Sequence, residues 1–322
     1  MHVLVIGSSV IDLFMTVNPV HAPVLNGKVS FSLGDKIPSE IKKLGLGGNG
    51  SNVSVGLTRL TIPTTFYTYL GKDILSREIE EKLTAEGVEL IAKRGTSENS
   101  PLHIIFDFEA DRIIFSHYPK AEHKFEIDRK DFDYIFLNSI ADVWEQAYEQ
   151  VFDFSSSNNI PIIFSPGSRQ LDNLSGTVFK VIERSHFIFM NKEEAIKILI
   201  KKGVDTSDIK KILSGLSSLG PKVVSVTDGG NGAYALDENG KTYYIEARGD
   251  NDSVDKTGAG DGYAAAFLGC VLSGGNVPDA MKWGGLNSKS VMKFIGAQPG
   301  LLNIGGLKQE LENFKDYEAS EI

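Results

Sequence analysis

The chain has 322 residues, 33 Lys and Arg against 42 Asp and Glu, a formal net charge of −9 and 41% hydrophobic residues. That apolar share excludes intrinsic disorder, because the chain buries enough surface to offset its conformational entropy. The acidic balance excludes a binder of the nucleic-acid backbone, which needs a clustered surplus of Lys and Arg.

Length alone fits two domains of about 150 residues each or one large α/β unit with an insertion. Cys270 is the only cysteine, so neither an intrachain disulfide nor a thiolate metal cluster is expected. The six histidines are scattered, with no pair at zinc-site spacing. The first seventeen residues lack a basic leader and carry Asp12 inside their apolar run, unlike a signal peptide. No apolar stretch approaches the ~20 residues of a membrane helix. A cytoplasmic, reducing setting is expected.

In chain order, a β-branched run over 3–6 closed by Gly7 and a second over 10–17 predict strands. Val53, Val55, Leu57 and Leu60 predict a helix over 49–60, starting in a glycine cluster, and 64–70 predicts a strand. The clearest helix is 73–87, with Asp73 as N-cap, Ile74, Ile79 and Leu83 facing inward, and Gly87 as the stop. A β-then-α rhythm follows, with strands over 134–137, 160–164, 187–190 and 223–226 and helices over 142–156, 174–184, 191–201 and 207–219. Short, solidly apolar strands alternating with helices predict a parallel sheet covered on both faces. Residues 258–272 are almost all small or apolar, the mark of a helix buried on every side, and 279–294 predicts one more helix. Residues 102–108 and 112–117 break the rhythm as a β-hairpin turning at Glu109-Ala110-Asp111. With 28–33 they are expected to form a small antiparallel flap, set apart from the main layer because no helix accompanies them.

Gly45-Leu46-Gly47-Gly48-Asn49-Gly50 satisfies the dinucleotide pattern G-x-G-x-x-G. That fingerprint needs a buried strand directly before it, and residues 39–44 do not read as one. The segment offers either close backbone approach and Asn amides for a polyol, or a tight turn capped by Asn. No Walker P-loop pattern occurs. Asp255-Lys256-Thr257-Gly258-Ala259-Gly260-Asp261-Gly262 runs directly into the buried helix. Its small residues leave helix-start N–H groups unshielded, an anion site that needs no Lys. A carboxylate beside such a hole repels a phosphate that is merely bound. Asp261 makes better sense as a base that takes a proton from an attacking hydroxyl than as a helix-stabilising acid. Asn191 and Glu194 fit a capping box, the stronger reading of those residues alone, or one helix face orienting Mg²⁺-bound waters. Thr227-Asp228-Gly229-Gly230-Asn231-Gly232 follows a strand where open α/β sheets bind ligands, and equally reads as a hairpin turn.

Taken in this order, the segments resemble the ribokinase-like (PfkB) carbohydrate kinase family over nearly the whole chain. The residues that carry the likeness are Asp12, Gly47-Gly48-Asn49-Gly50-Ser51-Asn52, Asn191 with Glu194, the specific run 255–261, and Gly296-Ala297-Gln298-Pro299-Gly300. The resemblance implies a single α/β domain over 1–322, a three-layer α/β/α fold with a mostly parallel central sheet. It also implies a small β-sheet lid, inserted at about 12–36 and 95–120 and often used for a homodimer contact. It implies ATP-dependent phosphorylation of a hydroxymethyl group, with Asp261 as general base and the backbone of Gly258, Ala259 and Gly260 as anion hole. Asn191 and Glu194 would position Mg²⁺ and phosphate, and Thr227, Gly229 and Gly232, with Asn287, would border the nucleotide. Asp12, Gly47, Gly48, Asn49 and Asn52 would grip substrate hydroxyls. Many members carry a monovalent cation such as K⁺, which Asp255 and Thr257 would hold with carbonyls of Val291, Phe294 and Gly296.

The substrate side departs from the family pattern. Val10 stands where ribose kinases usually place an Asn, Asn138 lies near an often acidic position, and Asn49 replaces a common Lys. Loss of that Lys disfavours a phosphosugar, so the expected acceptor is a neutral small sugar or polyol. The nearest alternative is a nucleoside stacked on Phe106, Phe108, Phe115 or Tyr118, although flap core or a dimer contact is the stronger reading of those aromatics. A non-catalytic sensor is opposed by an intact Asp261 and anion hole, and a dinucleotide oxidoreductase is the weakest reading.

Overall fold

The computed structural model describes residues 1–18, 20–94, 98–108, 111–248 and 253–322. Glu109 and Ala110 of the expected hairpin turn lie outside them. Among the described residues the main sheet has ten strands. From one edge the order is Glu89–Arg94, Thr64–Leu70, Val3–Ile6, Tyr134–Asn138, Ile162–Ser165, Ser185–Asn191 and Val223–Thr227, all parallel. Ala233–Leu236, Thr242–Ile245 and Ser320–Glu321 extend it antiparallel.

Why the parallel strands are solidly apolar is plain from their packing. Val3 and Val5 face one core with the helices Asn49–Arg59, Ile74–Ala85, Ala259–Leu272 and Val277–Met292. Leu4 and Ile6, alternate residues of the same strand, face the other core with Glu145–Asn158, Gly176–Arg184, Lys192–Lys201 and Ile209–Ser218. Successive side chains on a strand point to opposite faces, so a sheet covered on both sides admits no polar alternation. The fold is the three-layer α/β/α arrangement expected. Glu89–Arg94 escaped the sequence reading because it is an edge strand with half-exposed residues, and Ala233–Leu236 and Thr242–Ile245 because they follow a glycine turn. Among the described residues, no helix is long and apolar enough to cross a membrane.

A second sheet of four strands stands apart as the lid, in the order Ser39–Gly47, Val10–Val17, Leu102–Phe108, Asp111–His117. Two expectations are corrected here. Residues 28–33 take no part; Lys28–Val29 pairs instead with Val24–Leu25 in a separate ribbon. The fourth strand is Ser39–Gly47, antiparallel to Val10–Val17, while Val10–Val17 and Leu102–Phe108 run parallel, so the lid is mixed rather than antiparallel. Most of Ser39–Gly47 is solvent-exposed, which is why its sequence carries no apolar run. It does precede the glycine cluster, but in the lid rather than as a buried parallel strand, so the dinucleotide reading lacks its scaffold.

The Ala259–Leu272 helix is small-sided because two helices press against it. A Cβ on Gly56 would come 2.7 Å from the Ala265 Cβ, and one on Gly284 would come 2.7 Å from the Tyr263 ring. Gly56→Val therefore overpacks the junction and is expected to cost about 1–3 kcal/mol. Urea denaturation reads this as a lowered midpoint with an unchanged slope.

Candidate active site

The buried helix starts at the carboxyl ends of the parallel strands. Gly258 caps it at φ 78° with no side-chain cap. A Cβ there would lie 2.3 Å from the Ala297 Cβ, so the position admits glycine for both backbone angle and space. Next to it, Gly260 opens onto free space. The N–H groups of a helix's first turn have no partner within the helix and carry the positive end of its dipole. An anion is the ligand such a mouth accepts.

Asp261 stands third in this helix, half-buried at the mouth, and accepts a hydrogen bond from Asn52 Nδ2 at 2.8 Å. Burial pushes its carboxyl up to about 6, against the opposing pull of that amide. Gln298 Nε2, from the closing loop, donates to Asn52 Oδ1 at 3.2 Å. Asn52 is thus held at both ends of its amide and aims its donor at Asp261, where a grip on substrate hydroxyls had been expected. A carboxylate in this state is ionised at neutral pH and basic enough to accept a proton from a hydroxyl.

On the acceptor side, Gly47 lies against Asp12, whose Oδ2 would be 2.0 Å from a Cβ at that position. Asp12 is almost wholly buried and pairs with His103 Nδ1 at 3.0 Å. Gly48 turns the lid strand into the Asn49–Arg59 helix at φ 91°. Asn49 Oδ1 accepts from Ser8 Oγ at 3.0 Å and from the Gly50 N–H at 2.9 Å. His103 lies 5.4 Å from the Tyr118 ring, and the Arg169 guanidinium sits 4.6 Å above that ring. His103 and Arg169 were missed in the sequence. The strand register Asp12↔His103 brings the first to the site, and only tertiary packing brings the second. Phe106 and Phe115 pack on each other at 5.6 Å. Val10 and Asn138, on the first lid strand and a neighbouring strand of the main sheet, are wholly buried.

A cleft of about 690 Å³ extends from Asp261 along the strand ends, and Asn191, Glu194, Thr227, Gly229 and Gly232 line it. Asn191 and Glu194 close a reciprocal capping box, each bond 2.9 Å, while standing on the cleft wall. Glu194 is held above the usual carboxylate range by burial and, secondarily, by the charge of Asp261. Two carboxylates that feel each other's charge beside an anion mouth suit a hard divalent ion such as Mg²⁺. Asn287 is corrected: it is buried, donates to the Gly262 carbonyl at 2.7 Å and accepts from the Leu302 N–H at 2.8 Å. Its neighbours Ser288 and Met292 line the cleft instead.

A family model described as pfkB family carbohydrate kinase matches residues 2–300. The chain belongs to that family. Ribokinase of Staphylococcus aureus is 25% identical over 305 residues, covering 92% of this chain and 95% of that protein. A nucleoside kinase of Methanocaldococcus jannaschii is 24% identical over 283 residues, covering 87% and 89%. A provisional ribokinase II of E. coli, solved with ATP and Mg²⁺, matches the fold with a TM-score of 0.80 at 17% identity, over 97% of this chain and 99% of that one. The protein is a sugar or nucleoside kinase of the pfkB family.

One expected feature of this family member does not fit its residues. Asp255 Oδ1 accepts from the Thr257 N–H at 2.9 Å and Thr257 Oγ1 at 2.7 Å, and pairs with the Arg112 guanidinium. Asp255 Oδ2 accepts from the Gly296 N–H at 2.9 Å. The Val291 carbonyl accepts from the Phe294 N–H at 3.2 Å, and the Lys43 ammonium bonds the Ile295 carbonyl at 2.6 Å. Arg112 thus takes one atom that the resemblance gave to a monovalent cation, Asp255 Oδ1, and Lys43 takes the neighbouring Ile295 carbonyl.

The raised Asp261 has a consequence for stability. Its folded-state pKa lies above the unfolded one, so its contribution is present at low pH and lost as pH rises through about 6. Asp261→Asn is therefore expected to unfold at or above the wild-type Tm at neutral pH, with the gap closing as pH falls from about 6 toward about 4. Thermal unfolding across that range checks it, and a lower Tm at neutral pH would contradict the assigned burial.

Proposed function

We propose that this kinase transfers the γ-phosphoryl group of ATP to the hydroxymethyl group of a small neutral sugar, with Asp261 as general base. The observation that carries the reading is Asp261 itself: a carboxylate near pKa 6, steered by Asn52, at the mouth of an open helix start. The acceptor oxygen forms its bond to Pγ as the bond from Pγ to the bridging oxygen breaks, and the hydroxyl proton passes to Asp261. Backbone N–H groups at Gly258 and Gly260, with Ala259 whose N–H also reaches the Lys256 carbonyl at 3.3 Å, would face the charge that builds on the transferring group. Glu194 and Asn191 would hold Mg²⁺ through water, and the ion supplies charge neutralisation at the phosphates when bound. Asp12, held by His103, accepts substrate hydroxyls. A homodimer through the lid is proposed on its exposed Ile41, Leu44, Ile114 and Phe115, and sedimentation as a monomer at working concentration would end it.

Support for a sugar over a nucleoside comes from the lid aromatics, since Phe106 packs edge-on against Phe115 and Tyr118 is taken up by His103 and the Arg169 guanidinium. The test is ADP release from Mg·ATP across pentoses, hexoses, keto-deoxy acids and nucleosides. Turnover on a neutral sugar is expected; turnover on nucleosides alone replaces the acceptor, and silence across the panel favours a sensor. With the sugar found, Asp261→Asn should lower kcat by ~10²-fold or more while Mg·AMP-PNP affinity by calorimetry stays near wild type. The pH profile is a separate check. Because the base must be ionised, kcat/KM should be flat above neutrality and fall about tenfold per unit below about pH 6.

A further inference from the structure

Asp255 is almost fully buried at the root of the anion-hole loop, two residues before Thr257 and three before Gly258. Both of its oxygens hold backbone N–H groups that shape this loop, those of Thr257 and Gly296. A buried carboxylate in that position needs a positive partner, and the loop it organises depends on the carboxylate staying ionised. The partners present come from the lid. Arg112 lies on the Asp111–His117 strand and pairs with Asp255, and Lys43 lies on Ser39–Gly47 and caps the Ile295 carbonyl at 2.6 Å. These are the two outer strands of the lid sheet, so each edge of the lid delivers one cation to the junction beneath it. Arg112 is 30% exposed against 7% for Asp255, a cation inserted from the lid rather than one born in the core. The charge of Asp255 also draws the Lys43 ammonium back toward its ordinary range against the pull of burial.

We propose that Arg112 and Lys43 replace the monovalent cation in this chain, so that the anion hole is braced by the lid and needs no K⁺. Both are positioning residues that act through Asp255. The guanidinium is a permanent charge with directional donors, whereas K⁺ asks for a cage of oxygens, of which Arg112 takes Asp255 Oδ1 and Lys43 the adjacent Ile295 carbonyl. The inference rests on the proposed kinase reading for the role of the anion hole alone.

The test is thermal unfolding without nucleotide or sugar, in matched concentrations of KCl and choline chloride. The unaltered protein should show the same Tm in both salts. Arg112→Gln frees Asp255 for an ion and should unfold lower in choline, with K⁺ restoring about 3 °C or more. Arg112→Lys keeps the charge and should remain indifferent to K⁺. A K⁺-specific rise in the unaltered protein overturns the proposal, and so does an Arg112→Gln protein that K⁺ stabilises no more than choline does. Should Arg112→Gln fail to fold, Lys43→Gln, which uncovers the Ile295 carbonyl, is read in the same way. A silent substrate panel leaves this result standing, and a failed K⁺ response leaves the kinase reading standing.

Discussion

The close approach of Gly258 to Ala297 at the start of a buried helix is the constraint on which the site depends. The left-handed backbone at Gly258 turns the chain into the helix without a side-chain cap, and Ala259, Gly260 and Asp261 of that helix start line the cleft. The same contact docks the loop 296–300 against the helix start. That loop brings Gln298 to Asn52, which in turn directs its amide at Asp261. Its Gly296 N–H meets Asp255 on the other side of the junction. The helix mouth, Asp261 and the counter-charge are therefore three outcomes of one packed turn.

Four carboxylates share this region of an acidic protein, and their surroundings divide the work. Asp255 is held below the usual carboxylate range because the Gly296 and Thr257 donors and the Arg112 charge outweigh its burial. Asp261 has one amide donor and rises. Glu194 also rises, burial dominating over the Asn191 N–H. Asp12 is given a histidine across the lid register. Separation of environments around like groups is what allows one to stay a fixed charge while another exchanges a proton.

Much of the fold was legible because its signal is local. The alternation of short apolar strands with amphipathic helices follows from burial of the sheet on both faces, and Asp73 caps its helix through the Ser76 N–H as the sequence indicated. The Ser39–Gly47 strand was illegible because an exposed lid strand has no core to select its residues. Lys28–Val29 was drawn into the lid on composition, yet pairing partners are chosen by geometry that a six-residue run does not encode. For Asn191 and Glu194, capping and cleft lining turned out to be compatible, since a capping box leaves its residues at the helix mouth.

Within the site the division is similar. The run 255–261 announced its own chemistry, because a helix start stripped of side chains and followed by an acid is a contiguous feature whose physics needs no partner from elsewhere. The sequence by itself thus determined the covered parallel sheet, the buried helix, the anion mouth and the acid within it. Only the tertiary structure decided that Asn52 serves Asp261, that Asn287 ties helices together inside the core, and that Arg112 meets Asp255 while Lys43 meets the Ile295 carbonyl. Each of those depends on which amide or charge meets which across long separations in the chain. A side chain's hydrogen-bonding capacity is written in its residue type, but how it is spent is settled by the neighbours that folding supplies.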